Sequence, residues 1–312
     1  MPEPTDQPAK PLRTWRPMVL WTCAILLALG LAWFIGAVVV PVWQTSLVVS
    51  DCAADQDFFS MSRPFDFEKA IERLGGADKA RHRLEVYLRL LRPAAEHRGV
   101  AIFLLGHCGE KAVPFLLSAL SDPDSDVREK TLWALQETGL PPGEDVSSLL
   151  LVLRDNDEGL RATAAFALGQ VATRRPEIVP ALTEALGDGD WAVRCSAARS
   201  LGSMGVTAKV AILPLAARVS DTVPDVRIAA ARALREMGPE ARPAVPALIR
   251  ALGDVPAELR AAAAYALGEI GPAAQEAVPL LVNLSKDKSQ EISVRSAAAE
   301  ALKKLRGEEP PK

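Results

Sequence analysis

The chain has 312 residues and a formal net charge of −3 at pH 7, so it has no overall basic field to attract nucleic acid. Its four cysteines show no C-x-x-C or mixed Cys/His spacing, which argues against a zinc site or a disulfide framework. We therefore expect no nucleic-acid partner and no domain that depends on a metal or on disulfide bonds.

The first long feature is an uncharged stretch, MVLWTCAILLALGLAWFIGAVVV, from Met18 to Val40. At about 1.5 Å of rise per residue, a helix of this length measures roughly 35 Å and would cross a hydrocarbon core about 30 Å thick. We expect a cytoplasmic tail over residues 1–16 and a transmembrane signal-anchor helix over residues 17–43. Trp43 is one of the tryptophans placed to anchor such a helix at an interface.

The charges on either side of this stretch predict its orientation. Lys10, Arg13 and Arg16 precede it, whereas aspartates follow it and no basic residue returns before Arg63. The positive-inside rule then predicts a single-pass protein of the cell membrane, with the N-terminus cytoplasmic and the remainder extracytoplasmic. A cleaved signal peptide is the main alternative, although its apolar region usually has about 7–15 residues. Lipidation at Cys52 is a weaker alternative.

Residues 44–64 show no sustained hydrophobic period and are expected to form a linker to a repeat region over residues 65–307, before a disordered tail over 308–312. In the repeat region, aspartate and arginine recur with a spacing of 33 residues. The positions are Asp122, Arg128, Asp155, Arg161, Asp188, Arg194, Asp221, Arg227, Asp254, Arg260, Asp287 and, two residues late, Arg295. An earlier unit places Arg98 in the arginine column. Such a period is typical of a solenoid of stacked units.

Each unit contains two helical patterns. Apolar residues recur at i, i+3, i+4 and i+7, and a glycine closes the second pattern. We expect two antiparallel helices per unit, a first helix A and an alanine-rich helix B. The closing glycines are Gly139, Gly205, Gly238 and Gly271. A second acid in several turns is expected to be the N-cap of helix B, at Asp124, Asp157 and Asp190.

These units resemble the HEAT repeat, particularly the variant named after phycobilisome lyases. The shared marks are a proline in helix A eight residues before the turn aspartate, and a Val-Arg pair at the start of helix B. The prolines are Pro114, Pro180, Pro246 and Pro279. The resemblance implies an all-α, α/α superhelical solenoid of about seven hairpins, preceded here by the transmembrane helix. It also implies that B helices line the concave face, and that each arginine reaches the aspartate of an adjacent unit.

No arrangement of residues predicts catalysis. The three histidines, His82, His97 and His107, do not form the His-Glu pairs that hold iron in the deoxyhypusine hydroxylases of this architecture. No small-molecule substrate, cofactor or metal is therefore expected. The favoured interpretation is a non-enzymatic, membrane-anchored scaffold that binds another protein. An enzyme or enzyme subunit of the phycobilin-lyase type and a structural spacer in an envelope complex remain alternatives.

One column of helix B is a candidate binding surface. It lies six residues after the apolar residue that precedes each ladder arginine, a position expected to face away from helix A. The column is Phe103, Trp133, Phe166, Arg199, Arg232 and Tyr265, followed by Glu300. Large aromatic residues and arginine are enriched at interface hot spots. The alternative is that each aromatic ring covers the alanine-rich surface of the neighbouring helix.

Overall fold

The computed structural model describes residues 40–54, 67–91, 93–141, 143–171 and 175–307, and every regular element in them is a helix. The chain divides into two compact units, and the boundary between them in the sequence lies between Pro93 and Ala94. The helices of the first unit are α1 (Val40–Ala54), α2 (Phe67–Arg73) and α3 (Ala77–Leu91). Helix α1 packs mainly against α3.

The second unit is a helical solenoid. Its helices are α4 (Ala95–Gly106), α5 (Val113–Ala119), α6 (Ser125–Thr138), α7 (Ser147–Val152), α8 (Glu158–Val171), α9 (Val179–Ala185), α10 (Trp191–Ser203), α11 (Ile212–Arg218), α12 (Pro224–Met237), α13 (Val245–Ala251), α14 (Ala257–Ile270), α15 (Val278–Lys286) and α16 (Ile292–Leu305). The short odd-numbered helices from α5 onward are the A helices, and the long even-numbered ones are the B helices. The predicted repeat solenoid is confirmed, with six A–B hairpins after an initial B helix in the described residues.

Glycine and proline separate the helices as the sequence pattern predicts. Gly139, Gly238 and Gly271 follow B helices with φ of 75°, 60° and 73°, a left-handed conformation that glycine adopts without a steric penalty. A 3₁₀ turn such as Gly238–Ala244 then leads into the next A helix. Pro246 lies in the first turn of α13, where no intrahelical bond needs its missing N–H group.

The B helices approach one another closely because small residues meet at their contacts. A methyl group added at Gly202 would lie 2.8 Å from Cα of Ala233, and one at Gly268 would lie 2.9 Å from Cα of Ala301. Successive B helices therefore pack directly, whereas successive A helices touch little. The B helices therefore form the more closely packed of the two layers of this unit.

The core lies between the two layers of each hairpin. It consists of leucine, valine and alanine side chains that recur with the repeat, and their burial supplies the main favourable term in folding. Fully buried examples are Leu116, Val127, Leu132, Leu168, Val193, Leu201, Leu234, Leu248 and Leu267. This regular core holds the outward positions of successive B helices in one row.

The predicted transmembrane segment over residues 17–43 lies outside the described residues except for its last four, which begin α1. No helix in the described part of the chain combines the length and apolar character needed to cross a bilayer. The tail over residues 308–312 also lies outside the described residues.

The expected linker over residues 44–64 is helical as far as Ala54. Helix α1 buries Val42, Thr45, Val49 and Cys52, which recur at helical spacing. Sequence analysis missed this period because Trp43 and other residues on the opposite face near the helix start are apolar too. Residues 55–66 lie outside the described residues.

Candidate protein-binding face

The charged ladder connects successive turns of the solenoid. The guanidinium groups of Arg98, Arg161 and Arg194 each donate two hydrogen bonds of 2.8–2.9 Å to one carboxylate of the next unit. Their acceptors are Asp122, Asp188 and Asp221, respectively. A fourth rung joins Arg128 to Asp155, with a hydrogen bond of 3.0 Å from Nη2 to Oδ1. Such two-pronged pairs add geometric specificity to the stacking of the units.

The rung between Arg194 and Asp221 is the most deeply buried of the four. The Asp221 side chain is only 3% exposed, and it also lies 3.4 Å from Nη1 of Arg218. Burial raises the pKa of Asp221, but hydrogen bonds from Arg194 and the Val223 N–H outweigh it, and the pKa is lowered overall. The Asp188 pKa is lowered chiefly by the hydrogen bond from Arg161. Both aspartates therefore carry structural charges.

The last two expected rungs are not formed. Arg227 donates to the carbonyl of Val255 at 2.6 Å, and Arg260 donates to the carbonyl of Asp254 in its own turn at 2.9 Å. No ion pair of the described residues joins either arginine to an aspartate of the next unit. In the final unit, the two extra residues before Arg295 change the turn, and Asp287 accepts hydrogen bonds from within it. The turn sequences therefore decide where the ladder stops.

The second acid of three turns is the N-cap of a B helix. Oδ1 of Asp124 and Oδ1 of Asp190 each accept two backbone N–H groups, and Oδ1 of Asp157 accepts the N–H of Leu160 at 3.1 Å. These bonds satisfy donors that a helix leaves unpaired at its start. The acids of the turns thus serve the fold, and the candidate binding surface lies elsewhere.

The predicted B-face column follows the B-helix layer from α4 to α14. Trp133 and Phe166 are 38% and 41% exposed, although the alanines around them are buried. Arg199 and Arg232 are exposed, whereas Phe103 and Tyr265 are half-buried. Because successive B helices are in contact, these six side chains lie in a row. The row is aromatic over its first three members and cationic over the next two.

The cationic part of the column lines an open depression. Arg199 and Arg232 border a volume of about 600 Å³ together with Asp225, Glu258 and Ile228. Neither arginine forms an ion pair with any described residue. Their guanidinium groups therefore remain available to an external ligand.

The sequence analysis did not single out two arginines that make specific contacts: one lies beside the B-face column, and the other is buried between turns. Arg235 lies over the Tyr265 ring, 5.7 Å from its centroid, and so extends the cationic part of the face. Arg175 is buried and donates to the carbonyl groups of Glu144 and Pro141 at 2.6 and 2.7 Å. Arg175 occupies the repeat position that Ala208 occupies in the next unit. An arginine in place of a small residue is a break in the repeat that the sequence alone could have revealed.

The A-helix side offers a competing surface. A groove of about 540 Å³ runs between α7 and α9, with Leu151, Arg154 and Glu184 in its lining. Leu151 is 68% exposed, but Arg154 and Glu184 already pair with each other at 3.0 Å. The described residues contain no group of His, Cys, Asp and Glu side chains that could hold a metal ion. The side chains of Cys52, Cys108 and Cys195 are buried.

Comparison with known protein families agrees with this architecture. HEAT repeats match residues 84–151, 146–235 and 245–311, and the PBS lyase HEAT-like repeat matches residues 226–254. The chain belongs to the HEAT repeat family. No curated protein matches it.

Several structures resemble this chain at low sequence identity. Importin beta is 16% identical over 85% of this chain and 39% of its own length, with a TM-score of 0.55. A homology model of the full-length AP-3 complex in an intermediate open conformation is 16% identical over 88% of this chain and 54% of that chain, with a TM-score of 0.56. The complex of CpcE and CpcF of phycocyanin lyase from Nostoc sp. is 23% identical over 81% of this chain and 99% of that chain, with a TM-score of 0.42. The first two comparisons, with TM-scores above 0.5, show a shared fold and nothing further.

Proposed function

We propose that this protein is a non-enzymatic scaffold that binds a partner protein along its concave B-helix face and is held at the cell membrane by its N-terminal segment. One observation carries the binding part. Trp133, Phe166, Arg199 and Arg232 remain exposed in one row, beside buried alanines of the same helices. Large rings and unpaired guanidinium groups are the side chains that contribute most to protein interfaces.

The exposure of the aromatic rings favours a binding role over a packing role. A ring that served only to cover its neighbouring helix would be buried by it, whereas Trp133 and Phe166 keep about two fifths of their surface in contact with water. Burying that surface against a partner would release free energy at about 25 cal/mol per Å². The exposed rings therefore favour affinity for a partner with apolar side chains.

The arginines support the same proposal. Arg199 and Arg232 are exposed, and no described carboxylate forms an ion pair with either of them. Relatives of this fold act in assemblies: CpcE and CpcF form a complex, and AP-3 is a complex. A scaffold that presents rings beside arginines would select a partner segment with apolar residues next to acidic ones.

The membrane part of the proposal rests on the sequence of residues 18–40. Their length and lack of charge suit a bilayer span, and the basic residues before Met18 favour a cytoplasmic N-terminus. The repeats would then face the extracytoplasmic side, where the B-face column would meet its partner.

Substitutions in the B-face column test the binding role. Trp133→Ala and Arg199→Ala should each weaken partner capture from native membranes by about 1 kcal/mol or more while leaving thermal unfolding nearly unchanged. Leu213→Ala is the matched control, because this leucine is 65% exposed on an A helix. If the column variants mainly lower the melting temperature and capture persists, the row serves packing and the proposal is wrong.

A further inference from the structure

The first unit carries an apolar stripe that the repeat fold does not use. Val40, Trp43 and Leu47 of α1 are 40%, 62% and 46% exposed. At 100° per residue, the three side chains fall within about 60° of one another around the helix. They lie almost opposite the side of α1 that buries Val48 and Cys52. Helix α1 therefore has two apolar faces, only one of which packs within the unit.

The stripe changes character along the helix. Asp51 lies one turn beyond Leu47 on the same side, is exposed, and pairs with Arg73 at 2.7 Å. The apolar part is thus confined to the end of α1 that directly follows the uncharged segment from Met18 to Val40. The exposed side of α1 is apolar next to this segment and charged farther along the helix. A helix that leaves a bilayer requires such a change from apolar to charged side chains.

Helix α1 is fixed to its unit and is not a loose tether. Its inner face packs on α3, and the buried Tyr87 of α3 shares a side-chain hydrogen bond with Ser46. Burial raises the pKa of Tyr87, with a smaller opposing effect from that bond. The orientation of the stripe is therefore set by the fold of the first unit.

We infer that the stripe of Val40, Trp43 and Leu47 lies in the lipid headgroup region and braces the first unit against the bilayer surface. The inference rests on the proposed membrane anchor. Along a helix axis, Trp43 lies about 4.5 Å and Leu47 about 10.5 Å beyond Val40, within or just past a headgroup layer several ångströms thick. Tryptophan is enriched at this depth because its ring is amphipathic.

A second copy of the chain fits the stripe less well than lipid does. Three partly exposed side chains offer on the order of 300 Å², whereas a standard protein interface buries about 800 Å² on each partner. Contact with a lipid surface requires no such minimum area. The uncharged segment that precedes the stripe would place the stripe at a lipid surface.

Tryptophan fluorescence of the full-length chain in phospholipid vesicles tests this inference. One protein keeps Trp43 and a matched control keeps Trp191, which is similarly exposed at 47% but lies on the solenoid; all other tryptophans are changed to phenylalanine. Vesicles that contain brominated phospholipid should quench Trp43 at least about twofold and leave Trp191 unchanged. The emission of Trp43 should also shift to the blue when vesicles replace detergent.

Three results would overturn the inference, and they differ in meaning. If the protein floats with vesicles but Trp43 is unquenched, the anchor stands and the stripe does not touch lipid. If Trp43 is shielded only in a species of doubled mass, the stripe is an interface between copies. If the protein does not float with vesicles, the proposed anchor itself fails, and the inference fails with it.

Discussion

The close approach of the B helices makes Gly202 the sharpest test of the packing. In Gly202→Ala, the new methyl group would lie 2.8 Å from Cα and 3.0 Å from Cβ of Ala233. Backbone of a neighbouring helix cannot move aside as a flexible side chain can, so α10 and α12 must separate. Overpacking of this kind costs about 1–3 kcal/mol.

A gain in helix propensity opposes that cost. Replacing a helical glycine by alanine stabilises a helix by about 1 kcal/mol. With the contact at the backbone, we expect a net loss of about 1–2 kcal/mol in the free energy of unfolding. For a solenoid of this size, that corresponds to a decrease of roughly 2–8 °C in the melting temperature.

Gly99→Ala is the matched control, since Gly99 also lies in a B helix but the atoms nearest to an added methyl group belong to the flexible side chain of Lys130. It should be neutral or stabilising by up to about 1 kcal/mol. Thermal unfolding of the two variants, followed by circular dichroism, compares them directly. If Gly202→Ala is as stable as Gly99→Ala, the B helices are not as close as described.

Three further outcomes are expected. The pKa of Asp221 is lower in the folded state than its unfolded-state value near 4, so the ionised carboxylate stabilises the fold above about pH 4. The free energy of unfolding should therefore fall as the pH drops below about 4, and Asp221→Asn should flatten that dependence in denaturant titrations. Asp190→Ala should cost about 0.5–2 kcal/mol through loss of its cap, and Leu201→Ala about 2–5 kcal/mol through a core cavity; equal costs would contradict these roles. In intact cells, a membrane-impermeant thiol reagent should label a cysteine placed on the solenoid surface but not one near Lys10, and the reverse pattern would refute the orientation.

Much of the fold follows from spacing alone. The 33-residue period of aspartate and arginine predicts the solenoid because each unit must present the same contacts to the next. The N-caps were equally visible, since Asp124 and Asp190 precede apolar residues at helix starts. Local pattern and stacking agree in these units, so the sequence suffices to place the helices.

Predictions from the 33-residue period fail where one residue changes a contact between neighbouring units. The Arg227 rung fails because the guanidinium meets the Val255 carbonyl, which no spacing rule reports. Helix α1 was missed because both of its faces are apolar near Trp43. For the candidate site, the outward position of the column was predictable, but the degree of exposure of Trp133 and Phe166 depends on packing between helices and required the structure.

The central claim, that the B-helix face binds the partner, is tested most directly by site-specific photocrosslinking in native membranes. A photoreactive residue at position 133 reports on the B-helix face, and one at position 213 reports on the A-helix side at a residue that is more exposed. The account predicts a discrete protein adduct from position 133 and none from position 213. An adduct from position 213, with none from position 133, would contradict it.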